Sequence, residues 1–586
     1  MPHPVKAKKS STARHEAIQG YLFVTPYLIA FTIFTGIPFV SAFVLSFLDV
    51  KFITRLDDVH FVAFKNFVRF FSNKEALAAL GRTGLYTLIY VPVIMVLSFI
   101  LAYLLNKGVF WAKGIRSMFF LPYVSNMVAV AVVFQLMLGP RGPFYLLQKF
   151  FGVEDPIIPL LNQKWALPVV VLIAVWKGIG LNFLTYLGAL QNVDKSQVEA
   201  AEIDGANKWQ QIKNVVIPAV APTTFFLTIS SIITSLQNFT VIQSLTDGGP
   251  GQATTVMSLN IVNTAFVKYE TSYAAAQALV MFAIVMVITL IQWRGQKKWA
   301  DQQRRHPVMR AKQEKILKIV ITAVMVILGL ICIYPFIFML SSSFKPSGDV
   351  LSTPLQIIPS NFTMMNFETL FNNEFYDFFQ WFGNTVVMTG LTLILKFFII
   401  TITAYGFAKM KFPGRDAIFL VLLAGLMIPS DIMIMPRYII FKNLGILNTM
   451  WSLILPAAVD VYFVFLLRQA FVAVPEALSE AARIDGCSHF TIYRRIILPL
   501  CMPQVSTMLL FSFVWSWNDY MGPYLYISDI NKQMISVGIK LFASGLAQDY
   551  GAQMAGATLV LIPVIVAFFL CQKYFVEGIT AGAVKG

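Results

Sequence analysis

Two segments of the sequence repeat one pattern of acidic, small and proline residues. Residues 198–222 read VEAAEIDGANKWQQIKNVVIPAVAP, and residues 479–503 read SEAARIDGCSHFTIYRRIILPLCMP. An offset of 281 aligns the Glu-Ala-Ala, the Ile-Asp-Gly and the two prolines of the copies. Self-similarity at a fixed distance indicates that one structural unit has been duplicated. We therefore expect the two copies to perform the same task.

The residue types in each copy suit a short helix that enters a groove on another protein. Ala-Ala pairs favour helix and have small side chains, and a carboxylate near the helix start is stabilised by the helix dipole. The glycine is suited to end the helix, because it tolerates the left-handed conformation. The aspartate before it is expected to cap the following segment. These residues are Glu199, Ala200, Ala201, Asp204 and Gly205 in the first copy, and Glu480, Ala481, Ala482, Asp485 and Gly486 in the second.

Composition places both copies in a membrane protein. Of the 586 residues, 57% are hydrophobic and 13% are charged, against about 25% charged residues in soluble chains. This excludes a soluble enzyme, a secreted disulfide scaffold and a disordered chain, and the continuous apolar runs exclude a barrel. The four cysteines are isolated, so they indicate neither disulfides nor a metal site. The net charge of +16 comes without a basic helix or an aromatic RNA-binding box, so we expect no nucleic-acid partner.

The apolar runs are long enough to cross a bilayer, which takes about 20 residues. They form two groups of six around a basic stretch, residues 293–315, with eight Lys or Arg and two acids. We therefore predict an all-α polytopic membrane protein with about twelve transmembrane helices in two pseudo-symmetric six-helix halves, 1–293 and 316–586, joined by a cytoplasmic linker at 294–315. The expected spans lie roughly at 21–48, 85–106, 115–138, 166–190, 220–243, 273–293, 316–340, 383–408, 416–438, 451–472, 504–526 and 555–575.

Basic residues set the orientation of these spans. With the linker inside, alternation places both termini and both repeat copies in the cytoplasm. Segment 342–382 then lies outside, and it holds one lysine and four acids. Segment 49–84, with six basic residues, fits this topology poorly. Its amphipathic part, FVAFKNFVRFF, is expected to lie as an interfacial helix in contact with lipid.

The EAA–DG–P pattern resembles the coupling loop of binding-protein-dependent ABC importer permeases of the carbohydrate group. The resemblance covers nearly the whole chain, with each half similar to one of two partner subunits that the family usually keeps as separate chains. The motifs are YLFVTPYLIAFTIF, FLPYVSN and SLTDGGPGQATTV in the first half, and AYGFAKMKFPGRD, MIPSDIMIMPRYIIFKNLGILNTMWSLILP, WNDYMGPYLY and YFVEGITAGAVKG in the second. The expected fold is therefore the type I ABC importer permease fold, with both subunits fused.

The resemblance implies partners and a mechanism. Each EAA loop would dock as a coupling helix on one of two ABC ATPase subunits, and an extracytoplasmic solute-binding protein would deliver the solute. The chain contains no GxxxxGK[ST], so ATP and Mg would be bound by the partner subunits, with no cofactor, metal or catalytic residue in this chain. ATP-driven rocking of the two halves would then carry a sugar, oligosaccharide or polyol across a prokaryotic plasma (inner) membrane by alternating access.

The resemblance also implies solute contacts in the spans that flank each loop. Hydroxyl, amide and aromatic groups there suit a neutral polyol, although Leu181 replaces an aromatic residue of the maltose system. The alternative is that the hydroxyls bond to their own helices and that the amide joins neighbouring helices. The candidate contacts are Gly178, Leu181, Ser231, Thr234, Ser235 and Asn238 in the first half, and Tyr462, Trp515, Trp517, Asn518, Asp519 and Tyr520 in the second.

Two lysines within predicted spans stand apart from this assignment. Lys396 lies about twelve residues from either end of its span, and we expect a structural ion pair with an acid such as Asp460 or Asp519. Lys177 either favours an anionic solute or lies near a polar cavity because its span starts late. We favour the late start.

The principal alternative function is a twelve-helix, ion-coupled secondary sugar transporter. Such a protein needs intramembrane acids or histidines as relays, and the predicted spans contain very few. A channel needs no paired docking loops, and the five histidines, all in tails, loops or the linker, form no catalytic cluster for a membrane-embedded enzyme. An ordinary amphipathic loop at the membrane surface does not account for the same spacing in two equivalent places.

Overall fold

The computed structural model describes residues 11–51, 59–300, 315–545 and 549–583, and most of them are helical. The α-helices of the first half are α1 (Ser11–Phe31), α2 (Ile37–Ser46), α3 (Lys65–Ser72), α4 (Lys74–Asn106), α5 (Ala112–Val124), α6 (Met127–Leu138), α7 (Pro143–Phe150), α8 (Ala166–Gln191), α9 (Lys195–Ile203), α10 (Lys208–Gln211), α11 (Ile217–Ala219), α12 (Ala221–Leu236), α13 (Phe239–Leu245), α14 (Met257–Val262) and α15 (Thr271–Ala300). Two short strands, β1 (Leu48–Asp49) and β2 (His60–Phe61), pair antiparallel.

The second half has a similar helical content. Its α-helices are α16 (Lys315–Ser343), α17 (Ser347–Ser352), α18 (Met365–Phe371), α19 (Phe378–Lys409), α20 (Arg415–Ala424), α21 (Ser430–Asn443), α22 (Trp451–Ala457), α23 (Val461–Ala473), α24 (Glu476–Ile484), α25 (His489–Ile492), α26 (Leu498–Leu500), α27 (Met502–Trp517), α28 (Met521–Tyr526), α29 (Ile535–Gly545) and α30 (Tyr550–Ala583). Single π-helical turns occur at Thr32–Gly36, Ile212–Val216, Asn263–Val267 and Tyr493–Ile497, and 3-10 turns at Pro159–Leu161, Gly425–Met427 and Ile530–Lys532.

Nine helices of the described ranges are long and apolar enough to cross a membrane, or eleven if each of two bent pairs counts as one span. The all-α polytopic fold is therefore confirmed. The first helix of each bent pair lies within a repeat copy: residues 208–219 and 221–236 meet at 69°, and residues 489–500 and 502–517 meet at 80°. A proline is the second residue of the second helix in each pair, and proline is the commonest cause of a sharp bend.

Two other predicted spans, 115–138 and 416–438, are also interrupted. In the first, α5 ends at Val124 and α6 begins only at Met127. In the second, a 3-10 turn and Pro429 separate α20 from α21, and the residue before that proline is extended, as proline requires. The expectation of about twelve continuous spans is therefore too simple, because hydropathy averaged over a window does not detect a short break.

The chain folds as two compact units, and each unit combines segments from both sequence halves. The first unit contains residues 1–42 and 386–516, and the second contains residues 43–385 and 517–586. The N-terminal helix α1 is therefore grouped with helices of the second half. The linker predicted at 294–315 falls largely outside the described residues, as do the first ten residues of the basic N-terminal tail.

In the first unit, α1 lies against the C-terminal end of α19 at glycine contacts. A Cβ atom on Gly406 would lie 2.9 Å from the Val24 side chain, so no larger residue fits there without movement. The Tyr21 hydroxyl donates a hydrogen bond to the Pro413 carbonyl at 2.7 Å. Small residues permit this close approach of two helices in a membrane.

The expected ion pair of Lys396 is present in the same unit. Its Nζ lies 3.0 Å from Oδ2 of Asp460, and the lysine side chain is 4% exposed. The other carboxylate oxygen of Asp460 accepts a hydrogen bond from the backbone N–H of Tyr462 and so caps the start of α23. Asp460 therefore neutralises the buried charge of Lys396 and also accepts a hydrogen bond from a backbone N–H at the start of α23.

Lys396→Met should lower the free energy of unfolding by about 3 kcal/mol, because it leaves the Asp460 carboxylate without its counter-ion. The midpoint of denaturant unfolding in detergent measures this. Lys396→Met combined with Asp460→Leu should recover part of the loss, and Lys442→Met, at an exposed position, is the control. A midpoint unchanged by Lys396→Met alone would show that the pair contributes nothing.

In the second unit, Lys177 lies in the interior of its helix, so the expectation of a late-starting span is wrong. Helix α8 begins at Ala166, well before Lys177. The lysine Nζ donates to the Ser125 carbonyl at 2.7 Å and to the Tyr123 carbonyl at 3.3 Å. These carbonyls belong to the end of α5 and the break that follows it, so the ammonium group satisfies acceptors freed by the interruption.

Candidate functional site

The two repeat copies fold into the same helix and turn. Helices α9 and α24, hereafter the repeat helices, are nine residues long each. Both end at a glycine in the left-handed conformation, Gly205 with φ of +81° and Gly486 with φ of +80°, as the sequence predicted. A backbone bond of the same kind closes each turn. The groups joined are the Ala206 N–H and the Ala201 carbonyl at 2.8 Å, and the Cys487 N–H and the Ala482 carbonyl at 2.9 Å.

Two roles inferred for the acidic residues of the repeats are wrong. Asp204 and Asp485 are the C-terminal caps of the repeat helices and do not cap the following segment. Side chains three positions later cap the next helices, because only those residues are extended at the helix start: Asn207 for α10 and Ser488 for α25. The glutamates expected near a helix start, Glu199 and Glu480, are instead the fifth residues of their helices.

The repeat helices begin differently. The Asp194 carboxylate caps α9 by accepting a hydrogen bond from the Ser196 N–H at 2.9 Å. Bonds from the Ser196 hydroxyl and backbone N–H hold the pKa of Asp194 below its ordinary value. Because the folded state lowers this pKa, the stabilisation is present at neutral pH and is lost as the pH falls through the lowered value. Helix α24 follows Pro475 and has no side-chain cap.

Each repeat copy exposes two large apolar side chains at equivalent positions. Ile203 and Trp209 are 67% and 68% exposed in the first copy, and Ile484 and Phe490 are 87% and 53% exposed in the second. Exposed apolar groups that recur within a polar loop mark a surface for another protein. The sequence analysis missed these four residues, although the offset of 281 aligns both pairs.

The first-half solute candidates lie on α8 and on or just after α12, and they differ in accessibility. A Cβ atom on Gly178 would lie 2.6 Å from the Tyr90 hydroxyl, so the glycine is a point of close helix contact. Leu181 is half-buried, and Thr234 is exposed. Of these, Thr234 presents its side chain most openly.

Three further candidates, on one face of this segment, hydrogen-bond to polar side chains of neighbouring helices. The pairs are the Asn182 amide donating to the Ser231 hydroxyl at 3.3 Å, the Ser235 hydroxyl donating to the Thr87 hydroxyl at 3.0 Å, and the Asn238 amide donating to the Tyr86 hydroxyl. The structure therefore gathers polar groups from α4, α8 and α12. The partners on α4 and α8 were missed, although each is a polar residue within an apolar span.

The second-half candidates belong to different units. In the first unit, Tyr462 is 38% exposed and Trp515 is 40% exposed, with ring centroids 6.5 Å apart. In the second unit, Trp517 is 1% exposed and its indole N–H donates to the Val560 carbonyl. The amide of Asn518, also in the second unit, donates to a backbone carbonyl of α5. Tyr462 and Trp515 therefore offer open aromatic faces, whereas Trp517 is packed.

Among the residues that the structure describes, no three His, Cys, Asp or Glu side chains form a group that could hold a metal ion.

Comparison of the sequence with known protein families shows which family the duplicated unit belongs to. Residues 94–297 and 398–581 match the family described as binding-protein-dependent transport system inner membrane component, and together they make up more than half of the chain. The chain belongs to this family. The permease carries two copies of the family's domain in one polypeptide, which confirms the predicted fusion and a multi-pass protein of the inner membrane.

Several relatives of the permease each correspond to about half of it. It is 36% identical over 255 residues to the probable ABC transporter permease protein YurM of Bacillus subtilis, which covers 43% of the permease and 84% of YurM. It is 31% identical over 280 residues to the arabinooligosaccharides transport system permease protein AraQ of Halalkalibacterium halodurans, covering 47% of the permease and all of AraQ. A third relative, the probable ABC transporter permease protein YesP of Bacillus subtilis, is 32% identical over 302 residues, covering 51% of the permease and 96% of YesP.

Two solved structures of a bacterial alginate ABC transporter also align with part of the permease. The first, of an importer of the acidic polysaccharide alginate, has a TM-score of 0.41 at 22% identity and covers 46% of the permease and 99% of its own chain. The second, in complex with an alginate pentasaccharide-bound periplasmic protein, has a TM-score of 0.44 at 21% identity and covers 49% and 96%.

Replacing Gly205 or Gly486 with valine should loosen the end of the corresponding repeat helix. A Cβ atom at either position meets nothing within 4 Å, so the cost is backbone strain of about 1–2 kcal/mol. Hydrogen exchange at the closing amides of Ala206 and Cys487 should then accelerate about tenfold. Gly348→Ala, at an open position without positive φ, is the control. Unchanged exchange in the valine variants would contradict the role of the left-handed turn.

Proposed function

We propose that the permease is the membrane-spanning part of an ATP-driven importer that carries a carbohydrate from an extracytoplasmic binding protein into the cytoplasm. The observation that carries this proposal is the duplicated repeat helix with its exposed apolar pair. A transporter driven by an ion gradient has no use for two equivalent docking surfaces, whereas a pair of ATPase subunits needs one surface each.

The proposed partners follow from that duplication. Two ABC ATPase subunits dock on the repeat helices, with Ile203 and Trp209 in one interface and Ile484 and Phe490 in the other. Glu199 and Glu480 supply a carboxylate to each interface. ATP and Mg are bound by the ATPase subunits, and hydrolysis there drives alternating access of the permease. Both termini lie in the cytoplasm in this arrangement.

The names of relatives support carbohydrate as the solute class. They include transport proteins for arabinooligosaccharides, for polygalacturonan and rhamnogalacturonan, and for diacetylchitobiose. The chemistry of the candidate contacts agrees, because hydroxyl and amide groups exchange hydrogen bonds with sugar hydroxyls. Thr234, Ser235 and Asn238 supply such groups, and the open rings of Tyr462 and Trp515 are suited to stack on a sugar ring.

The direct test is uptake by proteoliposomes that contain the permease with its ATPase subunits and binding protein. A panel of labelled mono-, di- and oligosaccharides should include at least one that accumulates only with internal ATP and Mg. Accumulation should persist when a protonophore and a sodium ionophore dissipate ion gradients. Uptake that needs a gradient and ignores ATP would overturn the proposal in favour of a secondary transporter.

Reversing both acidic charges, Glu199→Lys with Glu480→Lys, should uncouple ATP hydrolysis from uptake. Each docking interface then places a cation where it holds a carboxylate, and loss of one interface contact of this kind costs about tenfold or more. Uptake per ATP hydrolysed in proteoliposomes measures the effect. The control is Asp155→Lys, at an exposed acid outside both repeats. Normal coupling in the double variant would remove these glutamates from the interfaces.

Asn238→Leu and Thr234→Phe should each impair uptake without affecting assembly with the ATPase. Asn238→Leu removes an amide from the polar face, and Thr234→Phe fills space at an exposed position. Ser235→Phe is expected to impair uptake as well, but Ser235 is 3% exposed, so crowding of the core adds to that effect. Thr228→Val is the control, because that hydroxyl already bonds to the Thr224 carbonyl. Normal uptake by both main variants would place the solute elsewhere.

A further inference from the structure

Helix α19 carries three polar side chains, spaced four residues apart, that all bond within residues 476–497. We call these residues the second repeat segment and the aligned residues 195–216 the first repeat segment. Residues at this spacing share one helix face. We call this row, Thr401, Tyr405 and Lys409, the α19 ladder. Its contacts are the Thr401 and Tyr493 hydroxyls at 2.8 Å, the Tyr405 hydroxyl and His489 Nδ1 at 3.2 Å, and the Lys409 Nζ and Glu476 Oε2 at 3.0 Å.

Lys409 makes the strongest of these contacts. Its side chain is 3% exposed, and its Nζ also donates to the Val474 carbonyl at 2.7 Å. The second carboxylate oxygen of Glu476 lies 3.7 Å from Nη2 of Arg483, on the same repeat helix. A buried ammonium group that loses its counter-ion is strongly destabilised. The last turn of α19 is therefore held to the first turn of α24.

The other two contacts of the α19 ladder, from Thr401 and Tyr405, bind residues that follow the repeat helix. His489 is the first residue of α25, directly after the Gly486 turn, and Tyr493 begins the π-helical turn. Tyr405 is fully buried, and its ring lies 5.6 Å from that of Tyr493. One contact therefore lies at the start of α24 and two lie after its end, so α19 is joined at three points to α24 and the residues that follow it.

The first half has a lysine at the position that corresponds to Glu476. The sequence Ala-Tyr occurs before the end of both α4 and α19, and the alignment places Lys107 opposite Lys409. The repeat offset places Lys195 opposite Glu476 and Lys208 opposite His489. Burial and then the nearby charge of Lys208 lower the pKa of Lys107. Lys208 instead pairs with Glu202 at 3.1 Å, within its own repeat segment.

We propose that Lys409 and Glu476 are positioning residues that make the second repeat segment and α19 move as one body, and that the first repeat segment lacks this lock. The proposal rests on the proposed function, because the lock passes the movement of a docked ATPase to a spanning helix. The docking surface of the second copy stays accessible, since Ile484 at the end of α24 and Phe490 in α25 are exposed. The two docking sites are therefore alike in surface and unlike in attachment.

The test compares equivalent substitutions in the two halves of the full complex. Glu476→Gln removes the charge and keeps the shape, and it should reduce uptake per ATP hydrolysed by about threefold or more. The matched control, Lys195→Gln, should leave this ratio unchanged. The amount of ATPase that co-purifies with the permease should be the same for both variants, because the docking surface is not altered. Equal ratios in the two variants and the wild type would overturn the lock.

A double-mutant cycle separates the pair from its single members. Lys409→Met alone, Glu476→Gln alone and both together should be non-additive, with the double variant no worse than the poorer single variant. Additive losses would show that the two residues act separately and would overturn the pairing.

Hydrogen exchange tests the attachment of the second repeat segment to α19 without any transport assay. Glu476→Gln should accelerate exchange at the amides of 476–486, whereas Lys195→Gln should leave those of 195–205 as they are. Unchanged exchange at 476–486 would overturn the lock even if transport by the variant were impaired. If the wild-type complex shows no ATP-driven uptake, the proposed function fails, and the exchange result still supports or refutes the lock.

Discussion

A helix that breaks within a membrane frees backbone N–H and C=O groups that lipid cannot satisfy, and much of this structure follows from that constraint. The break after α5 shows how the groups are satisfied. The Asn126 side chain accepts hydrogen bonds from the N–H groups of Val128 and Ala129 at the start of α6. On the other side of the break, the ammonium group of Lys177 donates hydrogen bonds to the carbonyls of Pro122 and Ser125. Interrupted spans are therefore possible here because polar side chains from the same or a neighbouring helix complete them.

The same constraint explains which intramembrane charges were predictable from the sequence. Lys396 required an acid because it lies deep in its span, and Asp460 was one of two candidates within the chain. Lys177 was misjudged because its partners are backbone carbonyls, which every residue carries and no side-chain pattern reveals. The all-α class, the duplication and the glycine turns followed from composition and from the repeat, since those signals are local or periodic, whereas the fusion of two subunits followed from the family resemblance of the motifs. The helix breaks and the grouping of α1 with the second half depend on tertiary contacts that hydropathy does not encode.

The candidate solute contacts illustrate a different limit. The sequence identified Ser231, Ser235 and Asn238 as a polar face, and the structure shows each of them already hydrogen-bonded. A carbohydrate that binds there exchanges one set of hydrogen bonds for another, so its net gain per bond is modest, about 1 kcal/mol. Accessibility, by contrast, was not predictable. Nothing in the sequence distinguishes the packed ring of Trp517 from the open ring of Trp515 two residues earlier.

The repeat copies show how far duplication constrains a structure. The turn after each repeat helix is the same because Gly205 and Gly486 permit the same backbone bond. The second copy is attached through residues of another helix, α19, and the position of its Glu476 holds a lysine, Lys195, in the first copy. Local geometry is therefore the same in both copies, whereas a residue available for a long-range contact differs in charge between them.

The grouping of α1 with α19 has a consequence for how the protein is made. Ribosomes add about 5–20 residues each second, so α1 is in the bilayer for about 20–75 seconds before the end of α19 is synthesised. During that interval the face of α1 that later contacts Gly406 lacks this partner. The first helix is therefore synthesised long before the helix it packs against, and the first unit can be complete only after residue 516 has been added.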